Sequence, residues 1–208
     1  QVATIDQISG GRISLGVGTG WWPLEYEVQG SDYRERGARM DEAIALLRAY
    51  GGDARVDFTG RHYHATAMSM EPKPPQGRAI PIWIGGYSEA AFRRVGRLGD
   101  GWLASRVTDA ADARRAIEAI RRHAEAAGRD PAQIGLQSMV APPPRDAEGK
   151  RFYAEPDRVV ARAADLKAMG FAWIALNATA IFQAGARSVD AIADTLEALH
   201  GKIRAAVG

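Results

Sequence analysis

The sequence contains no cysteine, which excludes disulfides, thiolate nucleophiles and cysteine-ligated zinc or iron–sulfur sites. Its four histidines, His62, His64, His123 and His200, form no HExxH-type pair. Metal-ligand clusters, paired-carboxylate motifs and a Ser-His-Asp order are also missing, so metal chemistry is not expected. No apolar run approaches the roughly 18–20 residues of a membrane span. The first residues lack the basic start and apolar stretch of a signal peptide, and Gln1 reads as a cut or processed end. Neither sign of charge dominates: 27 Lys and Arg stand against 25 Asp and Glu, for a net charge of +2 with no basic tract suited to nucleic acid. What these absences leave is a cytoplasmic protein that handles small molecules, with no nucleic-acid or membrane partner.

What is present fits a globular chain, with 46% hydrophobic and 25% charged residues over 208 positions. Short apolar runs ending in small residues predict buried strands at 12–18, 80–85, 101–105, 134–140 and 171–177. Longer stretches with helical spacing lie between them. One spans about 109–127, with Ala113, Ile117, Ile120 and Ala124 on one face, Asp109 as N-cap and Gly128 as stop. Others run from Pro156 to Gly170, from Ser188 onward with Ile192, Leu196, Leu199 and Ile203 aligned, and from Tyr33 to Tyr50. Residues 2–8 read as a further helix halted by Gly10 and Gly11.

Strands alternating with helices predict a parallel sheet covered by helices, either a barrel or a doubly wound sheet. The strands are near-continuously apolar, as expected when both faces are buried. Residues 52–78 interrupt the rhythm and read as a hairpin insertion, and 142–155 as a proline-led loop. Five parallel strands leave two exposed edges, and a complete (β/α)8 barrel needs about eight strands and about 250 residues. A portion preceding Gln1 is therefore expected.

Ligands of parallel α/β folds bind at the carboxyl ends of strands. The first strand ends in Gly18, Thr19 and Gly20, followed by Trp21 and Trp22. Clustered glycines let a ligand approach the backbone, but a dinucleotide GxGxxG would need glycine at Trp21. The same loop is similar to the glycine loop that binds S-adenosylmethionine in methyltransferases, except that Ser14 and Leu15 stand where an acid is expected. The second strand exits through Gly85, Gly86, Tyr87 and Ser88 into a helix. That arrangement gathers free N–H groups at the positive end of a helix dipole, suited to phosphate. His62 and His64 are expected on a hairpin surface, His123 and His200 in solvent, and Arg93 and Arg94 on a solvated helix face. Trp21, Trp22, Trp83 and Trp102 read as core or pocket wall.

Several ordered segments resemble luciferase-like monooxygenases. They are ISGGR at 8–12, LGVGTGW at 15–21, RGARMDEA at 36–43, GRHY at 60–63, PKPPQ at 72–76, PIWIGG at 81–86 and LGDGW at 98–102. The resemblance is nearest to the branch using the deazaflavin coenzyme F-420, with FMN-dependent relatives next. It implies a partial TIM (β/α)8 barrel of the bacterial luciferase-like type, a single domain over 1–208 with about five of eight parallel strands and an insertion at about 52–78. It further implies oxidoreductase activity through reduced coenzyme F-420 or FMN, a small-molecule substrate and a homodimer. Cofactor-binding residues would be Gly85, Gly86, Tyr87 and Ser88 at the phosphate, with Gly18, Thr19 and Gly20 toward the ring or ribityl side. A glutamate acting as an acid follows this loop in the sugar-phosphate dehydrogenase branch, whereas Trp21 stands here, so no catalytic residue is assigned. A flavin- or deazaflavin-binding protein without turnover is the second expectation.

Overall fold

A computed structural model describes residues 1–105, 107–142 and 149–208. Two compact units divide them, Gln1–Trp102 with Ile120–Ile134, and Leu103–Ala119 with Gly135–Gly208.

In the first unit, α1 (Val2–Ser9) precedes β1 (Leu15–Val17), and α2 (Pro23–Val28) follows it. Then come a 3-10 turn at Tyr33–Glu35, α3 (Arg36–Gly52) and the strands β2 (Val56–Thr59) and β3 (His64–Met68). The unit continues through β4 (Ile82–Gly85) and α4 (Glu89–Leu98), and the chain goes on to β5 (Gly101–Ala104), whose first two residues belong to it. Helix α5 (Ala110–Ala126) leads on to β6 (Gly135–Met139), α6 (Pro156–Ala168), β7 (Trp173–Ala175), α7 (Ala178–Ala184) and α8 (Val189–Val207). The sheet order is β1-β4-β5-β6-β7, with parallel pairing between β1 and β4 and between β6 and β7. The five expected strands and the antiparallel β2–β3 hairpin at 52–78 are all present. The proline-led stretch lies partly outside the described residues; its end, Gly149–Ala154, forms a 3-10 turn that buries Phe152 and Tyr153.

Ile82, Ile84, Trp102 and Ala104 of β4 and β5 are buried, whereas β1 and β7 are half open and Trp173 is 61% exposed. Only β5 is buried at nearly every residue; β4 alternates buried with half-buried positions, and the inner strand β6 buries only Ser138. The predicted face of α5 is buried throughout. Asp109 caps that helix, its Oδ1 accepting the Asp112 N–H at 2.9 Å.

Four expectations change, the first being His123, expected in solvent but only 22% exposed and 2.7 Å from Glu89. Arg94 does not lie on a solvated face: its side chain is 9% exposed and its Nε donates to Asp41 of α3, because α4 turns that side toward α3. His62 is not on the hairpin surface; its ring is 4% exposed and its Nδ1 lies 3.7 Å from Glu35. Trp21 and Trp22 are neither core nor enclosed wall, being 82% and 46% exposed. Two short helices, α2 and α7, have no counterpart in the hydrophobic pattern. The first buries no residue, and the second is set by Asn177, whose Oδ1 accepts the Ala180 N–H at 3.2 Å.

The hairpin tip is clasped by a single carboxylate. Glu42 of α3 accepts the N–H groups of Arg61, His62 and Tyr63 at 2.9, 2.8 and 3.2 Å. Desolvation pushes its pKa up, but these three donors and the nearby His62 together hold it below the ordinary carboxylate range. A depressed folded pKa contributes stability at neutral pH that is lost as pH falls through it. Acidification should therefore lower the protection of the Arg61, His62 and Tyr63 amides, measured against the intrinsic exchange rate at each pH, before it affects α3, and Glu42→Gln should show the lower protection already at neutral pH.

In the second unit Tyr153 plays a similar joining role. Its hydroxyl donates to the Val140 carbonyl and accepts the Asn177 N–H at 3.0 Å, tying the exit of β6 to the start of α7. Burial raises its pKa, against a smaller opposing effect of the Asn177 amide. Among the described residues no helix is long and apolar enough to cross a membrane.

Candidate cofactor site

The register of β1 and β4 decides what stands together. Leu15, Gly16 and Val17 face Ile82, Trp83 and Ile84, so the parallel strands end level and Gly18 and Gly85 leave side by side. A Cβ on Gly85 would sit 3.5 Å from the Val17 carbonyl. Both glycine-rich segments picked out from the sequence thus emerge at the carboxyl end of adjacent strands, where α/β folds place ligands.

After β4 the chain turns at Gly86, whose φ of +132° is open to glycine and strained for L side chains. A Cβ there would also stand 2.8 Å from the Ala91 Cβ. Ser88 follows in extended conformation and caps α4: its Oγ accepts the Ala91 N–H at 3.2 Å and its carbonyl accepts the Phe92 N–H at 2.9 Å. The amides of Glu89 and Ala90, in the first turn, have no intrahelical acceptor. Ser88, Glu89 and Ala90, at the start of the helix, are exposed.

Buried aromatic rings support the turn from behind. Trp102, fully buried, donates its Nε1–H to the Gly86 carbonyl at 2.9 Å, which points that carbonyl toward the core. Tyr87, Phe92 and Trp102 contact one another with ring centroids 5.4–5.8 Å apart. Hydrophobic pattern alone marked Trp102 as core; its role in aiming the turn depends on a 16-residue separation that no local motif encodes.

An acid on the first turn would repel a bound anion, and Glu89 is such an acid. Its Oε1 lies 2.7 Å from His123 Nε2 and 3.4 Å from Arg122, both on α5. The His123 hydrogen bond, opposed by some desolvation and helped by the Arg122 guanidinium, holds the Glu89 carboxyl below its ordinary pKa. His123 is thus a partner of the site's rim and only 22% exposed. Removing the cap hydroxyl in Ser88→Ala should cost about 1 kcal/mol, read as a lower urea midpoint at unchanged slope.

On the β1 side, Gly18, Thr19 and Gly20 line a pocket of about 440 Å³ together with Tyr26, Arg36 and Arg39. The Tyr26 hydroxyl donates to the Thr19 carbonyl, and Gly20, at φ +71°, packs over the Tyr26 ring. Neither arginine was singled out from the sequence; the RxxR spacing on one helical face was their only signal. No cluster of three or more metal-ligating side chains occurs among the described residues.

A family model described as luciferase-like monooxygenase matches residues 1–205. The chain belongs to the luciferase-like monooxygenase family. This luciferase-like chain is 32% identical to the F420-dependent hydroxymycolic acid dehydrogenase of Mycobacterium tuberculosis, over 79% of its own length and 42% of that protein. It is 30% identical to the FMNH(2)-dependent dimethylsulfone monooxygenase of Pseudomonas putida, over 86% of its own length and 49% of that protein. A solved F420-dependent secondary alcohol dehydrogenase, in complex with an F420-acetone adduct, superposes with a TM-score of 0.71 at 16% identity, covering 91% of this chain and 72% of that one. That likeness establishes a shared fold. The luciferase-like chain spans about half the length of the curated relatives it matches.

Proposed function

We propose that the protein is an oxidoreductase working with reduced coenzyme F-420, or with FMN as the alternative, on a small-molecule substrate. The observation that carries this reading is the level exit of two glycine segments beside a serine-capped, solvent-facing helix start. The residues fit the phosphate such a coenzyme carries. Gly86 leaves a cradle that a Cβ would fill, Ser88 offers a hydroxyl, and the Glu89 and Ala90 amides are without helical acceptors. Gly85 and Tyr87 complete the turn, and Gly18, Thr19 and Gly20 lie toward the ring or ribityl side. The dependence of relatives on F420 and FMNH2 supports both cofactor assignments.

When bound, the coenzyme supplies hydride or reduces oxygen; the protein binds it, orients it and shields it from water. Backbone donors hold the anion, while the rings of Tyr87, Phe92 and Trp102 keep the turn rigid behind it. The indole N–H of Trp21 is far too weak an acid to protonate a substrate, so an acid does not come from that position. The reading includes one barrel domain over 1–208 with its insertion at about 52–78, in a cytoplasmic homodimer with no nucleic-acid or membrane partner.

Visible absorption titrations with F-420 and with FMN test the proposal. A spectral shift with either, saturating in the micromolar range and weakened by Ser88→Ala, is expected. Binding of neither overturns it, and binding of S-adenosylmethionine instead would favour the methyltransferase reading.

A further inference from the structure

The pocket at the tip of β1 is lined by both cationic and apolar side chains of one helix. Arg36 and Arg39 line it from the first turns of α3, with Met40, Ala43, Ile44 and Leu47 farther along the same helix. Arg36 is partly engaged: its Nη1 donates to the Tyr33 carbonyl at 2.7 Å and its guanidinium lies 3.8 Å from the Tyr33 ring centre. Arg39 is not. Among the described residues it has no hydrogen bond and no ion pair, and its one recorded neighbour is the Tyr63 ring at 5.5 Å.

The acids nearest Arg39 in sequence are all committed elsewhere. Asp41 is bonded to Arg94, Glu42 to the amides of the hairpin tip, and Glu35 to Arg61. Across the pocket stands one carboxylate, the exposed Glu25 of α2, against two guanidinium groups. The Arg39 guanidinium has no hydrogen-bonding or ionic partner among the described residues, and its planar fork matches a carboxylate-like or phosphate-like anion. The volume of about 440 Å³ suits a small organic molecule.

We infer that this pocket takes a small organic anion, its charged end on Arg39 and Arg36 and its apolar body along Met40 and Ala43, and that this anion is the substrate. The assignment as substrate rests on the coenzyme reading above, since Gly18, Thr19 and Gly20 are common to both. Anion binding itself does not.

Hexanoate and its neutral isostere hexanamide, added without coenzyme and followed by amide NMR shifts, separate the two. Hexanoate should shift Thr19 and Gly20 and bind at least about tenfold tighter than hexanamide. Arg39→Gln should weaken hexanoate about tenfold, Arg39→Lys by less, and the exposed Arg93→Gln not at all. Because Arg39 makes no internal bond, Arg39→Gln should melt like the parent. Equal binding of the two probes, or unchanged binding in Arg39→Gln, overturns the anion site whatever the coenzyme does. FMN titration of the same variant decides the source of the anion: unchanged FMN affinity supports a substrate, and weakened FMN affinity overturns that assignment in favour of the coenzyme's own phosphate.

Discussion

Gly86→Val is expected to abolish coenzyme binding and to destabilise the first unit by about 2–4 kcal/mol. Two independent effects add at this position. The backbone sits at φ +132°, where a β-branched residue has no low-energy conformation. The new Cβ would also begin 2.8 Å from the Ala91 Cβ, and Ala91 is buried on α4 and has no flexible end to move aside. Relief requires rotating the turn, and rotation swings Ser88 off the Ala91 amide and redirects the free amides of the first helical turn. Calorimetry with F-420 and FMN, beside urea melts, checks both halves of the prediction. Gly85→Ala is the contrast: its Cβ would meet the Val17 carbonyl at an ordinary 3.5 Å and its φ is not positive, so it should fold and bind with little change. If Gly86→Val still bound either coenzyme with parental affinity, the turn would not be its phosphate site.

The contrast between Gly85 and Gly86 also marks how far the sequence could be read. Strand ends, helix starts and caps are local: Asp109, Ser88 and Ser188 each bind an amide three residues on, and each was visible as a polar residue before an apolar period. The glycine exits were visible for the same reason, and so was the parallel order, since strands alternating with helices leave few topologies. Pairings between distant segments were not legible. Nothing in the order of residues says that Arg94 finds Asp41 across 53 positions, or that Gln76 donates to the buried Asp6 across 70. His62 looked like a surface residue because it alternates with His64 on a hairpin, yet Glu42 draws its backbone against α3 and buries its ring. The free state of Arg39 was hidden most deeply, because it follows from where three other acids went.

Trp102→Ala should be the more damaging change, costing about 3–5 kcal/mol, because it empties the space of a fully buried indole that Tyr87 and Phe92 contact. A large loss alone would report only on packing, so Trp102→Phe carries the finer argument. Phenylalanine keeps much of the ring volume and the edge-to-face contact with Phe92, but it removes the Nε1–H that holds the Gly86 carbonyl at 2.9 Å. A buried carbonyl left without its donor costs about 1–3 kcal/mol, and the cheapest escape is for the Gly86 peptide to turn toward water. That rotation presents a carbonyl where the phosphate needs amides. Trp102→Phe should thus bind the coenzyme at least about tenfold more weakly than its stability loss in the free protein would suggest, with the deficit largest at low salt, where the misplaced dipole is least screened. Parallel measurements of urea midpoint and coenzyme affinity decide it. A variant that is less stable but binds normally would make Trp102 an ordinary core residue and leave the aim of the turn to Gly86 alone.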